Sequence, residues 1–350
     1  MWIWELGHSS GGSIQGIAKT AHAYGIGTVF IKSSDSTNAW SQFTPGLVSA
    51  LHARGLDVCA WQYVYGTHPS GEAHQGVLAK ADGADCLVID AETEYEGRYK
   101  AASIYMRKLR RGVGPNYPIG LAGYPYVDYH PGYPYSVFLG PHGAQRNVPQ
   151  VYWHTIGTSP SAALAHTFIY NRVYRRAIEP LGQTFGPPPL RELSQFRHLS
   201  ASYGFDGLSW WSWQATKKPE WQRLAKPNHR LRGFQKPTAF PLLHRGSAGD
   251  LVVWAQEHLV GAGEKIKIDG GFGRGTRVAV QDFQSRHGIP TTGTIGPLTW
   301  RALLKVKPVR VNWAKPHATL SKAEVPAGGE PSSASLPAVR NEIPARPPGG

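Results

Sequence analysis

The alternation of short apolar runs with longer helix-compatible segments is the feature that most constrains the fold of this chain. Over residues 1–225, strand-like runs rich in β-branched and aromatic residues recur at intervals of roughly 25–35 residues. They are MWIWEL, GTVFIKSS, LDVCAWQYVYG, DCLVIDAE, PIGLAGYPY, PQVYWHTIG and GLSWWSWQ. The segments SIQGIAKTAHAYG, FTPGLVSALHARG and RYKAASIYMRKLRRG carry apolar residues at helical spacing. This order predicts an α/β fold with a parallel sheet, and seven strands with room for an eighth favour a (β/α)8 TIM-like barrel.

The rest of the chain divides into three segments. Residues 226–241 contain four basic residues, three prolines and no acid, which predicts a basic, Pro-rich extended linker. Residues 242–305 show helical periodicity and predict a small three-helix all-α domain. Residues 306–350 are rich in Pro, Gly, Ser and Ala, and we expect a disordered tail there.

The two cysteines lie in the strand-like runs LDVCAW and DCLVID. A thiol in an apolar strand behaves as a small hydrophobe, so we expect Cys59 and Cys86 to be buried free thiols. A disulfide between neighbouring strands is the alternative. Neither cysteine has the accompanying His pattern of a cysteine peptidase.

The basic charge is concentrated in the C-terminal part of the chain. The formal net charge is +14, with 19 Lys and Arg against 15 Asp and Glu in residues 1–225, and 18 against 8 in residues 226–350. Such a field favours polyanionic partners. No helix-turn-helix, zinc-finger or RNP pattern accompanies it, so we do not expect nucleic acid as a partner.

Neither a membrane span nor a signal peptide is evident in the sequence. No stretch reaches about 18 apolar residues, so we expect no membrane partner. The start MWIWELGHSS lacks a basic n-region and an apolar core, which predicts synthesis in the cytoplasm without a signal peptide.

Residues 242 to about 305 closely resemble the peptidoglycan-binding type 1 domain. The matching landmarks are Gly246, Gly249, Val252, Gln256, Leu259, Asp269-Gly270, Phe272-Gly273, Thr276, Ala279-Val280, Phe283-Gln284, Gly288, Gly293, Thr299-Trp300 and Leu303. The resemblance implies noncatalytic attachment to the glycan-peptide mesh of the bacterial cell wall, with anionic wall polymers as further partners. Our candidate peptidoglycan-binding residues are Asp269, Phe272, Arg274 and Gln284, whereas the aromatic Phe283 and Trp300 are expected in the core.

The motif LVIDAETEYEG places two carboxylates at the end of a strand. Residues i and i+2 of a strand point to the same face, so Asp90 and Glu92 should project together at the C-terminal mouth of a barrel, where barrel enzymes keep their active sites. Glycoside hydrolysis needs a proton donor and a second group that stabilises or traps the oxocarbenium-like centre. Two close carboxylates also raise each other's pKa, which keeps one of them protonated. The alternative is a structural ion pair with Lys32 or an arginine.

The N-terminal region also resembles the family 25 lysozymes, which cut between N-acetylmuramic acid and N-acetylglucosamine. The likeness rests on a Lys-containing second strand, an aromatic third strand ending in Gly66, Asp90-Ala91-Glu92, and a late PQVYW strand. It implies that Glu92 is the general acid and base and that Asp90 orients the acetamide of the substrate. The first strand offers Glu5 and His8 where those lysozymes have Asp-Val-Ser, and the last ends in Trp213-Gln214 instead of an Asp. Glu5 could replace the first Asp, and Trp213 is expected to form the floor of the sugar site.

Other polar and aromatic residues near strand ends are secondary candidates. Tyr63 and Tyr124 are expected to stack on sugars, and Gln214 to lie in the substrate site. Glu94 and Glu96 are expected on the following loop, with either as an alternative second carboxylate. The histidines lack metal-ligand spacing, so we expect no metal and no cofactor.

Together these patterns predict a monomeric cell-wall hydrolase, a lysozyme-like glycosidase of the endolysin type anchored by its peptidoglycan-binding domain. A protein of this kind without a signal peptide would reach the wall by phage-type release or another export route. The alternatives are a catalytically inactive barrel that serves as a wall-binding or structural protein, and a glycosidase for another polysaccharide.

Overall fold

The computed structural model describes residues 1–314. The strands are β1 (Trp2–Ile3), β2 (Thr28–Asp35), β3 (Asn38–Ala39), β4 (Asp57–Val64), β5 (Cys86–Ala91), β6 (Ile119–Ala122), β7 (Arg146–Asn147), β8 (Ala177–Ile178), β9 (Leu181–Gln183) and β10 (Ser209–Trp211). The α-helices are α1 (Ile14–Ala23), α2 (Pro45–His52), α3 (Pro69–Ala81), α4 (Tyr99–Val113), α5 (Tyr135–Phe138), α6 (Trp153–Ile156), α7 (Pro160–Asn171), α8 (Leu190–Tyr203), α9 (Lys218–Leu224), α10 (Asp250–Gly261), α11 (Arg274–Arg286) and α12 (Pro297–Leu303).

The N-terminal unit is a mixed α/β structure built on parallel strands. The main sheet has the order β1-β2-β4-β5-β6-β7-β8, with β3 added antiparallel to β2, and β9 and β10 form a separate parallel pair. The pair is joined to its neighbours by hydrogen bonds from Val151 N to Leu181 O (2.8 Å) and from Trp213 N to Trp2 O (2.7 Å). The predicted parallel sheet is therefore confirmed, and its closure into an eight-stranded barrel stays a prediction.

The late run PQVYWHTIG is not the strand that the sequence indicates. Strand β7 lies before it, at Arg146–Asn147, and Trp153–Ile156 form helix α6. Pro149 has no backbone N–H to donate to a ladder, and only an isolated bridge at Gln150 follows it. The short strands β8 and β9 follow α7, in a stretch where the sequence analysis assigned no strand.

Strand residues alternate between two apolar layers. One face packs against the helices, as the main core cluster containing Ile31, Ala60 and Ile89 shows. The other face carries a second cluster of Trp2, Trp61, Val88, Ala122, Val148, Tyr152 and Leu181. Because the side-chain period of a strand is two, the residue two positions after Val88, Asp90, lies on this second face.

The cysteines form a disulfide, so the expectation of free thiols is wrong and the alternative is confirmed. Cys59 on β4 and Cys86 on β5 are directly opposed in the parallel register, with their Cα atoms 4.6 Å apart. Opposed residues on neighbouring strands point to the same face, which brings the two sulfur atoms within bonding distance. The sequence indicated both strands but not their register.

Helices α10, α11 and α12 form the C-terminal module. Its core contains the fully buried Val252, Leu259, Phe283 and Trp300. Val278 on α11 points away from this core and is 46% exposed. Three helices enclosing a small core agree with the periodicity of the sequence.

The module packs directly against the α/β unit. Trp254 Nε1 donates to Val173 O (2.8 Å), and its ring lies 5.5 Å from that of Tyr174. In the predicted linker, where no helix or strand is assigned, the Arg172 guanidinium bonds to Pro237 O (3.0 Å) and stacks on Phe240. The linker is thus held along the surface of the α/β unit.

The first part of the predicted tail is ordered. Val309 N donates to Glu257 O (3.1 Å), and Trp313 is 2% exposed against Tyr99. The prediction of disorder is therefore wrong for residues 306–314, because Trp313 supplies a large apolar ring to the interface. Residues 315–350, the remainder of the predicted tail, lie outside the described residues.

Among the helices of residues 1–314, none combines the length and apolar character needed to cross a membrane.

Candidate active site

Two carboxylates lie where β5 ends. Asp90 is opposed in register to Tyr63 on β4 and to Ala122 on β6, and Glu92 follows two residues later. Asp90 is 7% exposed, whereas Glu92 is only partly buried. The structure thus places both residues at the carboxyl end of a parallel strand, as the sequence predicts.

A single side-chain amide bridges the two carboxylates. Gln150 Nε2 donates to Asp90 Oδ1 (3.0 Å) and to Glu92 Oε1 (2.9 Å). Since both oxygens contact one nitrogen, the two carboxyl groups lie close together. Gln150 was not among the residues predicted from the sequence. The one local indication of its role is its position as a polar residue directly before the apolar run VYW.

The environment of Asp90 favours its protonated form. Burial is the largest cause that raises its pKa well above the ordinary value, and the negative charge of Glu92 adds to it. The positive charge of Lys32 acts in the opposite direction. Lys32 itself pairs with Asp35 (2.7 Å).

Tyr63 and Tyr65 connect this pair to further acids. Tyr63 Oη donates to Glu94 Oε2 (3.0 Å), and Tyr65 Oη donates to Asp35 Oδ1 (3.0 Å). Burial, with the nearby charges of Glu92 and Glu94, raises the pKa of Tyr63, so its hydroxyl stays protonated as a donor. Tyr63 therefore lies among the carboxylates, in the region where the sequence analysis expects it.

A loop after β6 contacts the residues on either side of Glu92. Tyr124 stacks on His130 with ring centroids 3.4 Å apart, and His130 Nδ1 contacts Glu96 Oε1 (3.0 Å). Tyr133 Oη donates to the carbonyl of Ala91, the residue between the two carboxylates (2.9 Å). The loop that carries Tyr124 is thus bonded directly to the strand end.

Glu5 and Gln214 join the first strand to the last. The carboxylate of Glu5 pairs with His8 (2.5 Å) and its side chain is 39% exposed. With its amide correctly oriented, Gln214 Oε1 accepts from Trp4 N (3.2 Å) and Glu5 N (2.7 Å). These contacts give Gln214 a structural role at the site's edge.

Trp213 does not line the site, contrary to expectation. It is 5% exposed, and its ring packs edge-on against Trp221 of α9 in the main core. Trp213 lies beyond the end of β10, so the alternation of that strand does not set the direction of its side chain. Trp211 is partly exposed and lies 5.3 Å from Trp61 and 5.9 Å from Trp2.

Within residues 1–314, no group of three or more His, Cys, Asp or Glu side chains is arranged to hold a metal ion.

The four candidate ligand residues of the C-terminal module differ in their accessibility. Phe272 is 2% exposed and Gln284 is 1% exposed. Gln284 donates to Thr294 O (2.8 Å) and accepts from Gly293 N (2.9 Å), so its amide is used within the fold. These two predictions are wrong, because both side chains belong to the core.

Asp269 and Arg274 are at the surface or close to it. Asp269 Oδ1 accepts from Gln256 and from Gly271 N, which fixes the loop before α11. Arg274 is exposed at the first position of α11. Arg274 is therefore the more accessible of the two.

A groove of about 430 Å³ lies on the same module, between the end of α11 and α12. The 59% exposed Leu298 supplies apolar surface, and Arg301 and Lys305 are exposed on its rim. The other lining residues are His287, Gly288, Ile289, Pro290, Ala302 and Val306. The lining contains cationic and apolar groups but no acid.

Residues 248–303 match the family model described as "Putative peptidoglycan binding domain". The prediction of a peptidoglycan-binding domain is therefore confirmed for this segment. A zinc D-Ala-D-Ala carboxypeptidase of Streptomyces albus G is 37% identical over 68 residues, which cover 19% of this chain and 27% of that protein. The "Uncharacterized protein in bpoA1 3'region" of Kitasatospora aureofaciens is 38% identical over 79 residues, or 22% of this chain and 65% of that one. The chain thus spans less than two thirds of either relative.

Two solved structures are also similar in part. A peptidoglycan-binding protein from Clostridioides difficile, solved with glutamine hydroxamate, covers 18% of this chain and 40% of its own at 38% identity and a TM-score of 0.18. The catalytic domain of a hyperthermophilic chitinase from Pyrococcus furiosus covers 59% of this chain and 87% of its own at 13% identity and a TM-score of 0.46.

Proposed function

We propose that this protein hydrolyses the glycan strand of peptidoglycan as a lysozyme-like glycosidase, and that its C-terminal module holds it on the cell wall. The observation that carries the catalytic half is the amide of Gln150 shared by Asp90 and Glu92 at the end of β5. The family match of residues 248–303 supports the wall-binding half.

The environments of the two carboxylates assign them different roles. Buried Asp90 holds a proton in the free protein, because its raised pKa favours the neutral form. When an N-acetylated sugar binds, Asp90 becomes the anionic acceptor for the acetamide N–H and the proton passes to the more accessible Glu92. Glu92 then protonates the leaving glycosidic oxygen.

The acetamide oxygen forms the new bond to the anomeric carbon as the glycosidic bond breaks. Water subsequently attacks the same carbon as its bond to the acetamide oxygen breaks, and Glu92 takes the proton of the water. Return of this proton to Asp90 as the product leaves restores the starting state. No metal or cofactor is needed in this scheme.

Aromatic residues around the carboxylates supply the sugar-binding surface. Tyr63 and Tyr124 flank the pair, and both have raised pKa values, first through burial. In place of Trp213, we assign the floor of the site to Trp211, which is partly exposed on the same face as Trp61. An aromatic ring can pack on the apolar face of a sugar while the hydroxyls point to polar neighbours.

Replacing Glu92 tests the catalytic half. Glu92→Gln keeps the size of the side chain but removes its transferable proton, so the release of new reducing ends from purified peptidoglycan should fall at least about 100-fold. Glu94→Gln should keep most of the activity, because Glu94 acts through Tyr63 in this scheme. Asp206→Asn, at an exposed site before β10, is the neutral control.

Near-normal turnover by Glu92→Gln would reject Glu92 as the acid. If the unsubstituted protein releases no reducing ends from peptidoglycan, the lysozyme-like assignment fails. Turnover of a different polysaccharide, or binding to the wall without turnover, would then identify the alternative.

The groove on α12 is the proposed contact with the wall. Peptidoglycan stem peptides combine alanine methyl groups with free carboxylates, which complement the apolar lining and the cations Arg301 and Lys305. Arg301→Glu with Lys305→Glu should reduce co-sedimentation with purified walls at least about tenfold at low salt. The matched control is Lys265→Glu with Lys267→Glu, an equal charge change at exposed positions on another loop of the module. Equal losses in both double variants would show that only net charge matters.

A further inference from the structure

We propose that the wall-binding module is also part of the catalytic apparatus, and that Asp250 of α10 is a positioning residue for the loop 124–136 beside Glu92. This inference rests on the proposed function for its catalytic consequence. The contact network itself links the module to the candidate active site.

Asp250 is a fully buried carboxylate whose partners all belong to the α/β unit. Its Oδ1 accepts from Ser136 Oγ (2.6 Å) and Tyr99 Oη (2.9 Å). Its Oδ2 accepts from Ser136 N (2.9 Å) and Tyr174 Oη (2.7 Å). Hydrogen bonds to a charged acceptor are about twice as strong as neutral ones, so these four donors offset the cost of burying the carboxylate.

The module also contacts the middle of the loop. Asp250 N donates to Pro131 O (2.7 Å), which gives the loop two attachments, at Pro131 and at Ser136. Gly249, just before α10, has φ +105°, and a Cβ there would lie 2.5 Å from Pro131 O. Only glycine therefore permits this close approach of the two backbones.

From these attachments the loop leads directly to the carboxylates. Two loop residues between Pro131 and Ser136 bond to the strand end. Tyr133 Oη donates to Ala91 O (2.9 Å), and Gly132 O accepts from Gly97 N (2.9 Å) on the segment after Glu92. Tyr135 Oη donates to Tyr124 O (3.1 Å), which fixes the backbone of the residue stacked on His130. The loop carries little regular structure beyond one helical turn at Val127–Tyr129 and the start of α5, so it depends on these contacts for its position.

A module joined only by a flexible connector would raise the local concentration of the enzyme without changing its turnover of small soluble substrates. The docked arrangement predicts a different result. Loss of the Asp250 network should lower kcat even on substrates too small to engage the module, because displacement of reacting groups by about 1 Å can cost as much as 100-fold in rate.

The test is Asp250→Asn in the full-length protein, compared with Asp282→Asn at an exposed position of α11. The amide keeps the size of the carboxylate but turns an NH2 group toward the donors. We expect kcat on soluble glycan oligomers to fall about tenfold or more well below the melting temperature, with unchanged sedimentation on insoluble walls. Asp282→Asn should change neither. If Asp250→Asn does not fold, Tyr174→Phe removes one donor and should show a smaller loss in the same direction.

Hydrogen exchange supplies the readout that a general loss of stability would not give. The amides of Tyr129, His130 and Tyr133 are bonded within the loop and not to Asp250, and they should exchange faster in Asp250→Asn under native conditions. Unchanged kcat, or a lower kcat with unchanged exchange in the loop, would overturn the inference. If the unsubstituted protein turns over no glycan, the proposed function fails, and the exchange of these amides alone decides whether Asp250 orders the loop.

Discussion

Replacing Gln150 should move the whole pH profile of the enzyme to higher pH. Its amide donates to both Asp90 and Glu92, and a donor stabilises a carboxylate in its charged form, which lowers the pKa. A hydrogen bond to a charged group contributes about 1.5–3 kcal/mol. Since one pKa unit corresponds to about 1.4 kcal/mol, Gln150→Leu should raise the apparent pKa values of the pair by roughly 1–2 units.

The assay is the pH dependence of kcat/KM on a soluble glycan oligomer. Because the carboxylates titrate as a coupled pair, the acidic and basic sides of the bell-shaped pH profile should both move to higher pH. The value of kcat/KM at pH values below the original optimum should therefore fall. Gln75→Leu is a suitable control, because it removes an amide on α3 that donates to the backbone carbonyl of Thr37 and not to a carboxylate. A profile that keeps its position while the variant stays folded would refute the role of Gln150.

Two further predictions concern stability. Trp213→Ala should lower the free energy of unfolding by about 3–5 kcal/mol and leave the binding of glycan oligomers by the folded protein unchanged. Trp211→Ala should weaken that binding. The opposite pattern in denaturation and binding titrations would assign Trp213 to the sugar site. Burial lowers the pKa of His258 from 6.5 to about 4, so the folded protein favours the neutral imidazole. The free energy of unfolding should therefore decrease as the pH falls from 6.5 toward 4, by up to about 3 kcal/mol. His258→Gln should therefore show a smaller difference in denaturant stability between pH 7 and pH 4.5, and an equal difference would contradict this assignment.

Local patterns in the sequence determined several helices, the position of the two carboxylates and the C-terminal domain. Helices α1, α2 and α4 fall within the segments with helical periodicity, because that spacing places the apolar residues on one face. The i and i+2 spacing of Asp90 and Glu92 placed both carboxylates on one face at the end of β5. The fixed glycines and core positions of residues 248–303 were sufficient to recognise the wall-binding domain.

The tertiary structure alone decided which distant residues meet. Gln150 lies 58 residues from Glu92, and Tyr99 lies 151 residues from Asp250, and no local periodicity encodes such pairs. Strand register decided that Cys59 faces Cys86, and packing beyond the end of β10 placed Trp213 in the main core while Trp211 lies against the second cluster. The docking of the C-terminal module could not be predicted from the sequence either. The basic, Pro-rich linker at residues 226–241 has the same composition whether it is free or packed along a surface. Such contacts depend on how separate elements assemble in space, which only the folded chain specifies.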